Sequence, residues 1–226
     1  DPQNIEKWKH ISNITKITPE LIKKYLDYPW DWNILSKNET ITCEFIEQNS
    51  DKPWNFKLLT QWLVRKDIIR LIDFITLKMP NKPWDFKEIT GNIYFLSDNS
   101  DNSMRTKFEN FILQFSQKTL EWMRLSGSCR YGFIVDHPNL NWEWFHMSYR
   151  YDITLQFITD LIHKPWPWYY LTERDIITLG FIDQYPDKNW NWSKLFKFKN
   201  PSVEFIQKHL NHNWDWKEVL FILPLT

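Results

Sequence analysis

Pro29-Trp30-Asp31-Trp32 is the stretch that decides the fold, because the chain returns to it six more times. The copies are Pro53-Trp54-Asn55-Phe56, Pro83-Trp84-Asp85-Phe86, Asn141-Trp142-Glu143-Trp144, Pro165-Trp166-Pro167-Trp168, Asn189-Trp190-Asn191-Trp192 and Asn213-Trp214-Asp215-Trp216. With the first tryptophan of each copy set in one column, the last four anchors fall at a constant interval of 24 residues. Two residues after each anchor stands a second aromatic, and five after it an apolar residue: Leu35, Leu59, Ile89, Met147, Leu171, Leu195 or Val219. Nine before it stands Leu21, Phe45, Ile75, Phe133, Phe157, Phe181 or Phe205. The same spacing exposes a hidden copy with Leu120 as anchor and Trp122 as second aromatic, while Trp8, Ile11 and Ser12 match the second half of a unit. A tandem repeat of about eight units preceded by a half unit is the result.

Each unit carries two helical signals. Helix A opens on Thr18, Thr42, Thr154, Thr178 or Ser202, residues whose hydroxyls cap helices, with Glu20, Glu44 or Glu204 in the first turn, where the helix dipole favours negative charge. Apolar residues four apart, such as Ile153, Phe157 and Leu161, give that helix one buried face. Helix B is predicted to begin at the proline of the tetrapeptide and to run to the apolar residue and the Ser or Thr after it. Neither helix is long enough to be stable alone in water. Stacking must hold them, and a buried Trp removes ~150–250 Å² from water, on the order of 4–6 kcal/mol before entropy. The expected fold is therefore all-α, a solenoid of short helix-turn-helix repeats forming a single domain over residues 1–226, with an irregular segment at 91–130. Within that segment the polar run from Ser97 to Ser103 reads as an inserted loop, followed by a longer helix from about Met104 to Leu125.

Composition bounds the function. Lys plus Arg equals Asp plus Glu at 28 each, so no overall field draws the chain to nucleic acid or to an anionic membrane. No secretory signal is read, and the apolar run Val219 to Leu225 is far shorter than the roughly 20 residues that span a bilayer. Cys43 and Cys129 fall at different positions of the repeat and read as free thiols, not as a disulfide or zinc framework. Alanine is absent while Ile, Lys and Asn abound, a bias expected of an AT-rich genome.

The repeat resembles the Trp-rich repeats, with a Pro-Trp-Asn/Asp-Trp core followed by two residues and Leu-Ser, of proteins from giant DNA viruses that infect amoebae. The matching stretches are Pro29 to Ser36, Pro53 to Thr60, Pro83 to Thr90 and Pro165 to Thr172, with Asn in place of Pro in the units at 141, 189 and 213. The resemblance implies a source and an architecture, with the host cytoplasm or the virion as location, and no activity.

Chemical signals are sparse. Asp98, Ser100, Asn102 and Glu109 have the spacing of a calcium loop, but Ser103 stands where the sharp turn needs Gly. His209 and His212 read as surface histidines, and no nucleophile elbow or Gly-rich phosphate loop is present. No enzyme, no cofactor and no metal site is expected. The expected function is a non-enzymatic scaffold for protein–protein interaction or virion structure, with a protein partner. The alternatives are a nucleic-acid-binding solenoid, through Arg65, Lys66 and Arg70 or through Lys194, Lys197 and Lys199, and a Trp-lined carbohydrate-binding protein. Candidate interaction residues are Trp62, Arg65, Lys66 and Arg70, with Asp98 and Asp101 in the inserted loop. Trp62 is the tryptophan outside both aromatic columns. It is either a continuation of helix B packed on the irregular third unit or an exposed anchor beside the three cations.

Overall fold

The structure is a computed structural model that describes residues 4–14, 17–92 and 101–220. Among them all regular structure is helical, with no strand. The chain divides into two compact units, Asp1–Ser128 and Cys129–Thr226, where the sequence suggests one domain; the boundary falls inside the irregular segment. The first unit holds α1 (Ile5–Ser12), α2 (Pro19–Lys24), α3 (Trp32–Leu35), α4 (Cys43–Gln48), α5 (Phe56–Leu77), α6 (Phe86–Gly91), α7 (Asn102–Gln114) and α8 (Trp122–Ser128). The second holds α9 (Tyr131–Asp136), α10 (Trp144–Met147), α11 (Leu155–Asp160), α12 (Trp168–Leu171), α13 (Leu179–Gln184), a 3₁₀ turn at Trp192–Lys194, α14 (Leu195–Lys199), α15 (Val203–Lys208) and α16 (Trp216–Leu220).

The helix A caps form as the spacing predicts. The hydroxyls of Thr18, Thr42, Thr154, Thr178 and Ser202 each accept from the backbone N–H three residues on. The first-turn carboxylates Glu20, Glu44 and Glu204 are held below their ordinary pKa, first by the backbone N–H groups they meet. Helix B begins later than expected. The residue between the two aromatics is its N-cap, with Asp31, Asn55 and Asp85 accepting from Ile34, Leu58 and Glu88, and the second aromatic is its first residue. The preceding Pro instead occupies the centre of a tight turn in which the anchor N–H reaches back two residues, as in Trp30 N to Tyr28 O at 2.8 Å and Trp166 N to Lys164 O at 2.8 Å. This is the inverse γ-turn, whose φ near −75° suits proline.

Three contacts recur around each anchor. Its indole N–H donates to the carbonyl five residues earlier, at the C-terminal end of helix A: Trp30 to Tyr25, Trp54 to Asn49, Trp84 to Met79, Trp142 to His137, Trp166 to Leu161, Trp190 to Tyr185 and Trp214 to His209, all 2.8–3.0 Å. Each of these carbonyls also accepts the backbone N–H three residues on, as Leu161 O does from Lys164, so the indole takes the second lone pair of a turn carbonyl while burying its ring. The ring then lies edge-on to the second aromatic of the preceding repeat, as in Trp8–Trp30, Trp32–Trp54, Phe56–Trp84, Trp144–Trp166 and Trp168–Trp190, with centroids 4.8–5.1 Å apart. Finally, the Ser or Thr closing helix B joins consecutive repeats. Ser12, Ser36, Thr60, Thr90 and Thr172 each donate to the carbonyl four residues back and accept from the backbone N–H after the next anchor, that of Asp31, Asn55, Asp85, Glu121 and Asn191 respectively.

Below this polar seam the core is aliphatic. The Ile that follows the helix A aromatic (Ile46, Ile134, Ile158, Ile182, Ile206) and the helix B column (Leu35, Leu59, Leu125, Leu171, Leu195) are fully inaccessible.

Two elements depart from expectation. α5 joins helix B of one repeat to helix A of the next, bending at Asp67 (φ −164°, ψ 90°), which lengthens the interval between Trp54 and Trp84. The predicted helix from Met104 to Leu125 is instead two helices, α7 and α8, separated at Phe115–Glu121. That gap is the ordinary helix A to helix B turn with Leu120 as anchor. Leu120 is buried but brings no indole donor, and Phe86 packs on Phe111 and Phe115 in place of a Trp.

Truncating one anchor removes both a buried ring and a helix-end partner. Trp166→Ala is expected to cost ~3–5 kcal/mol in a denaturant titration. Thr172→Val, which keeps the shape but strands the buried N–H of Asn191, is expected to cost about 1–3 kcal/mol in the same measurement.

Candidate interaction surfaces

Trp62 and Lys66 lie four apart on α5 and share a face, and beyond the bend at Asp67 the Arg70 side chain turns to the same side. That face meets the chain between the first and second repeats. The Trp62 indole donates to Ser36 O at 3.0 Å, the Lys66 ammonium to Glu39 O at 3.2 Å, and Arg70 pairs with the Glu44 carboxylate. Lys66 also sits 5.4 Å from the centroid of the Trp62 ring. The half-buried Trp62 therefore reaches back to the preceding repeat, where its polar atom is engaged. Arg65 is exposed. Beside this face a cleft of about 270 Å³ is lined by Ile41, Cys43, Leu63 and Arg70. Burial pushes the Cys43 thiol up to about 11, so at neutral pH it is protonated.

Asp98 lies outside the described residues. Asp101 is the N-cap of α7, its carboxylate accepting from Ser103 N at 3.1 Å. Residues 102–109 are helical and Glu109 is buried, a conformation that does not wrap an ion. No cluster of three His, Cys, Asp or Glu side chains suited to a metal occurs among the described residues. Neither cysteine is in a disulfide, and both are buried.

The histidines correct the sequence reading, which places them on the surface. His209 is buried and its Nε2 lies 2.8 Å from Asp183 Oδ1, while His212 stacks on Trp192 with centroids 3.8 Å apart and planes within 7°. His212 occupies a column two residues before the anchor whose members cover the second aromatic of the preceding repeat. Tyr28 covers Trp8, and Lys52, Lys82 and Lys188 cover Trp32, Phe56 and Trp168. The aromatic ladder is thus capped by cations or rings, a role that lysine content alone did not reveal.

Two members of the basic cluster near the C-terminus are also engaged, while Lys197 is exposed. Lys194 pairs with Glu173 at 3.0 Å, and Lys199 donates to Arg174 O at 2.6 Å, its pKa lowered by burial. Arg174 in turn donates to Arg150 O, and Arg150 to Cys129 O, so successive basic side chains close the loops of the repeats before them.

Unclaimed surface of another kind lies on the outer side of α10 and α12. Phe145 (44% exposed) contacts Tyr149 (58%) and Tyr170 (50%) with centroids 5.2 and 5.3 Å apart, and Tyr169 adjoins Tyr170 at 5.6 Å. Sequence reasoning missed these residues. The signal was the third and fourth positions after the anchor, which hold Asn33 and Ile34, Lys57 and Leu58, or Lys87 and Glu88 in the first unit, but Phe145, Tyr169 and Tyr170 here. Comparison with known family models, curated proteins and solved structures finds no match to this chain.

Trp62→Ala is expected to lower stability by about 1–3 kcal/mol, through the lost ring contacts and the stranded Ser36 carbonyl, while Arg65→Ala stays within about 0.5 kcal/mol. Melting curves decide between them; an unperturbed Trp62→Ala variant would return Trp62 to the free surface. A second expectation concerns pH. Burial, aided by His209 and opposed by Asp187, holds the His212 pKa below its ordinary value. The unfolded chain then binds the proton more tightly, so the melting temperature should fall as pH drops through about 6.5 and level off below the folded-state pKa. His212→Phe, which keeps a ring on Trp192, should remove that component.

Proposed function

We propose that the chain is a non-enzymatic repeat scaffold that mediates protein–protein interaction, built as an α-solenoid of about eight units and an N-terminal half unit. The observation that carries this reading is the exposed aromatic patch of Phe145, Tyr149 and Tyr170 on adjacent repeats. Exposed aromatics in mutual contact, rimmed by charged residues such as Glu173 and Lys194, match the make-up of protein interfaces, where Tyr and Phe are enriched and charge is kept to the rim. Tyrosine hydroxyls add hydrogen-bonding capacity at small entropic cost. A protein segment offering an apolar side chain between Phe145 and Tyr170 and a carbonyl to a Tyr hydroxyl suits such a patch.

The alternatives draw less support. Seven anchor tryptophans are 3–6% exposed with their indole N–H groups engaged, so they offer no platform to sugars or bases. Four of the six cations a phosphate backbone would meet are engaged, Lys66 at Glu39 O, Arg70 with Glu44, Lys194 with Glu173 and Lys199 at Arg174 O, which leaves the exposed Arg65 and Lys197. No helix among the described residues is long and apolar enough to cross a membrane. The host cytoplasm or the virion of a giant virus is the setting that accords with the repeat type.

The test is a double variant, Phe145→Ser with Tyr170→Ser, compared with the wild type in proximity labelling within infected amoebae. The variant is expected to melt within about 0.5 kcal/mol of wild type and to lose a reproducible set of labelled proteins. An unchanged set would remove the patch from the interaction, and salt-sensitive retention of RNA or DNA by the wild type would move the reading to nucleic acid.

A further inference from the structure

A groove of about 620 Å³ opens in the second unit between the repeats anchored at Trp190 and Trp214, within the range of small-ligand sites. Its lining includes Tyr169, Asp187, Asn189, Asn191, Asn211 and Asn213. Asn189, Asn211 and Asn213 are exposed, and among the described residues their side-chain amides have no protein partner. Lys188 also borders the groove, but its ammonium donates to Ile162 O at 3.0 Å and lies over Trp168.

Asn191 is the unusual member. It is 2% exposed, its backbone N–H donates to Thr172 Oγ1 and its Oδ1 accepts from Ser193 Oγ at 2.9 Å, yet its Nδ2 is buried with no partner. Interchanging the amide oxygen and nitrogen only moves the deficit to the oxygen. A buried polar atom left unpaired costs about 1–3 kcal/mol, and native structures carry few of them. The first unit shows what is missing. At the equivalent position Asn55 caps α5 with Oδ1 and donates from Nδ2 to Asn33 Oδ1 at 2.7 Å. Here the position of Asn33 is taken by Tyr169, a half-exposed ring in place of an acceptor.

We propose that this groove binds a neutral saccharide. One hydroxyl completes the hydrogen bonding of Asn191, neighbouring hydroxyls pair with the amides of Asn189, Asn211 and Asn213, and a C–H face of the sugar rests on Tyr169. The choice of ligand follows from the lining. A hydroxyl both donates and accepts, so it serves Asn191 in either orientation of its amide. Several open amides, one free carboxylate at Asp187 and an exposed aromatic face offer hydroxyl pairs what they need. The same carboxylate, beside a lysine already engaged, disfavours an anion. Because Asn191 is covered, binding requires the lining around it to open and admit the hydroxyl. The site adjoins the Phe145–Tyr170 patch through the Tyr169–Tyr170 ring contact, but it does not rest on the protein-scaffold reading.

The experiment titrates the full chain with maltotriose, mannotriose, chitotriose and lactose at millimolar concentrations, following Trp fluorescence and the side-chain amide resonances in ¹⁵N spectra. At least one sugar should give saturable shifts that include the Asn191 amide. Tyr169→Ala and the pair Asn211→Ala with Asn213→Ala should each weaken binding on the order of tenfold, with melting unchanged. Absence of saturable shifts with all four sugars overturns the proposal. So does binding that these variants leave intact, or saturation by a Gly-Asn-rich peptide with none by sugars, which would make the groove a peptide site.

Discussion

The indole N–H that meets a helix-end carbonyl is the contact shared by the seven repeats anchored on Trp. Helix A spans six residues in most repeats and helix B four to seven, lengths at which helix nucleation is not repaid in water. Both ends of such a helix leave backbone groups without partners, so burying one against its neighbour would ordinarily carry a penalty. The anchor Trp resolves both difficulties with one side chain. Its ring supplies apolar area between the helix A aromatic of its own repeat (Phe157 for Trp166, centroids 5.8 Å apart) and the second aromatic of the repeat before. Its N–H shares the carbonyl at the helix A terminus with the backbone N–H of the following turn, as Trp166 and Lys164 share Leu161 O. Phe could fill the space but would leave Leu161 O with the Lys164 N–H alone.

The hydroxyl at the end of helix B extends this logic from one repeat to the next, and its exceptions follow from chemistry. Pro167 has no N–H to give, and there Ser148 turns to Phe145 O at 2.6 Å instead. In the repeat of Leu195 the hydroxyl position is Phe196, and helix B is reshaped into a 3₁₀ turn followed by α14, which ends in the left-handed region at Asn200 (φ 46°). The Asn191 amide that finds no partner belongs to this same irregular repeat. In this repeat a local departure from the pattern and an unsatisfied polar group coincide, as expected where a rule of the fold has been relaxed.

The helical character, the caps of helix A and the buried anchor column were legible because each rests on a short-range pattern repeated many times. The start of helix B was misplaced because a Pro before Trp suits both the first turn of a helix and an inverse γ-turn; only the hydrogen bond from the anchor N–H separates them. The single long helix expected after Met104 failed for a related reason. With Leu120 in place of Trp the turn signal is weak, and the apolar spacing runs on across it. Trp62 illustrates a different limit: periodicity gives its face of α5 but not the Ser36 carbonyl opposite, 26 positions away. The exposed aromatics of α10 and α12 were hidden by the composition itself, since in a chain so rich in core aromatics a few more on the wrong face draw no notice.

Exchange of the indole N–H protons with D₂O, read residue by residue in ¹⁵N spectra, tests the central contact most directly. The seven anchor indoles should exchange slowly and together, at rates set by opening of the repeats, whereas the indole of Trp216, 44% exposed, should exchange at once. Anchor indoles that exchange as fast as Trp216 would contradict the account, since the indoles would then be open to water instead of held on the helix A carbonyls.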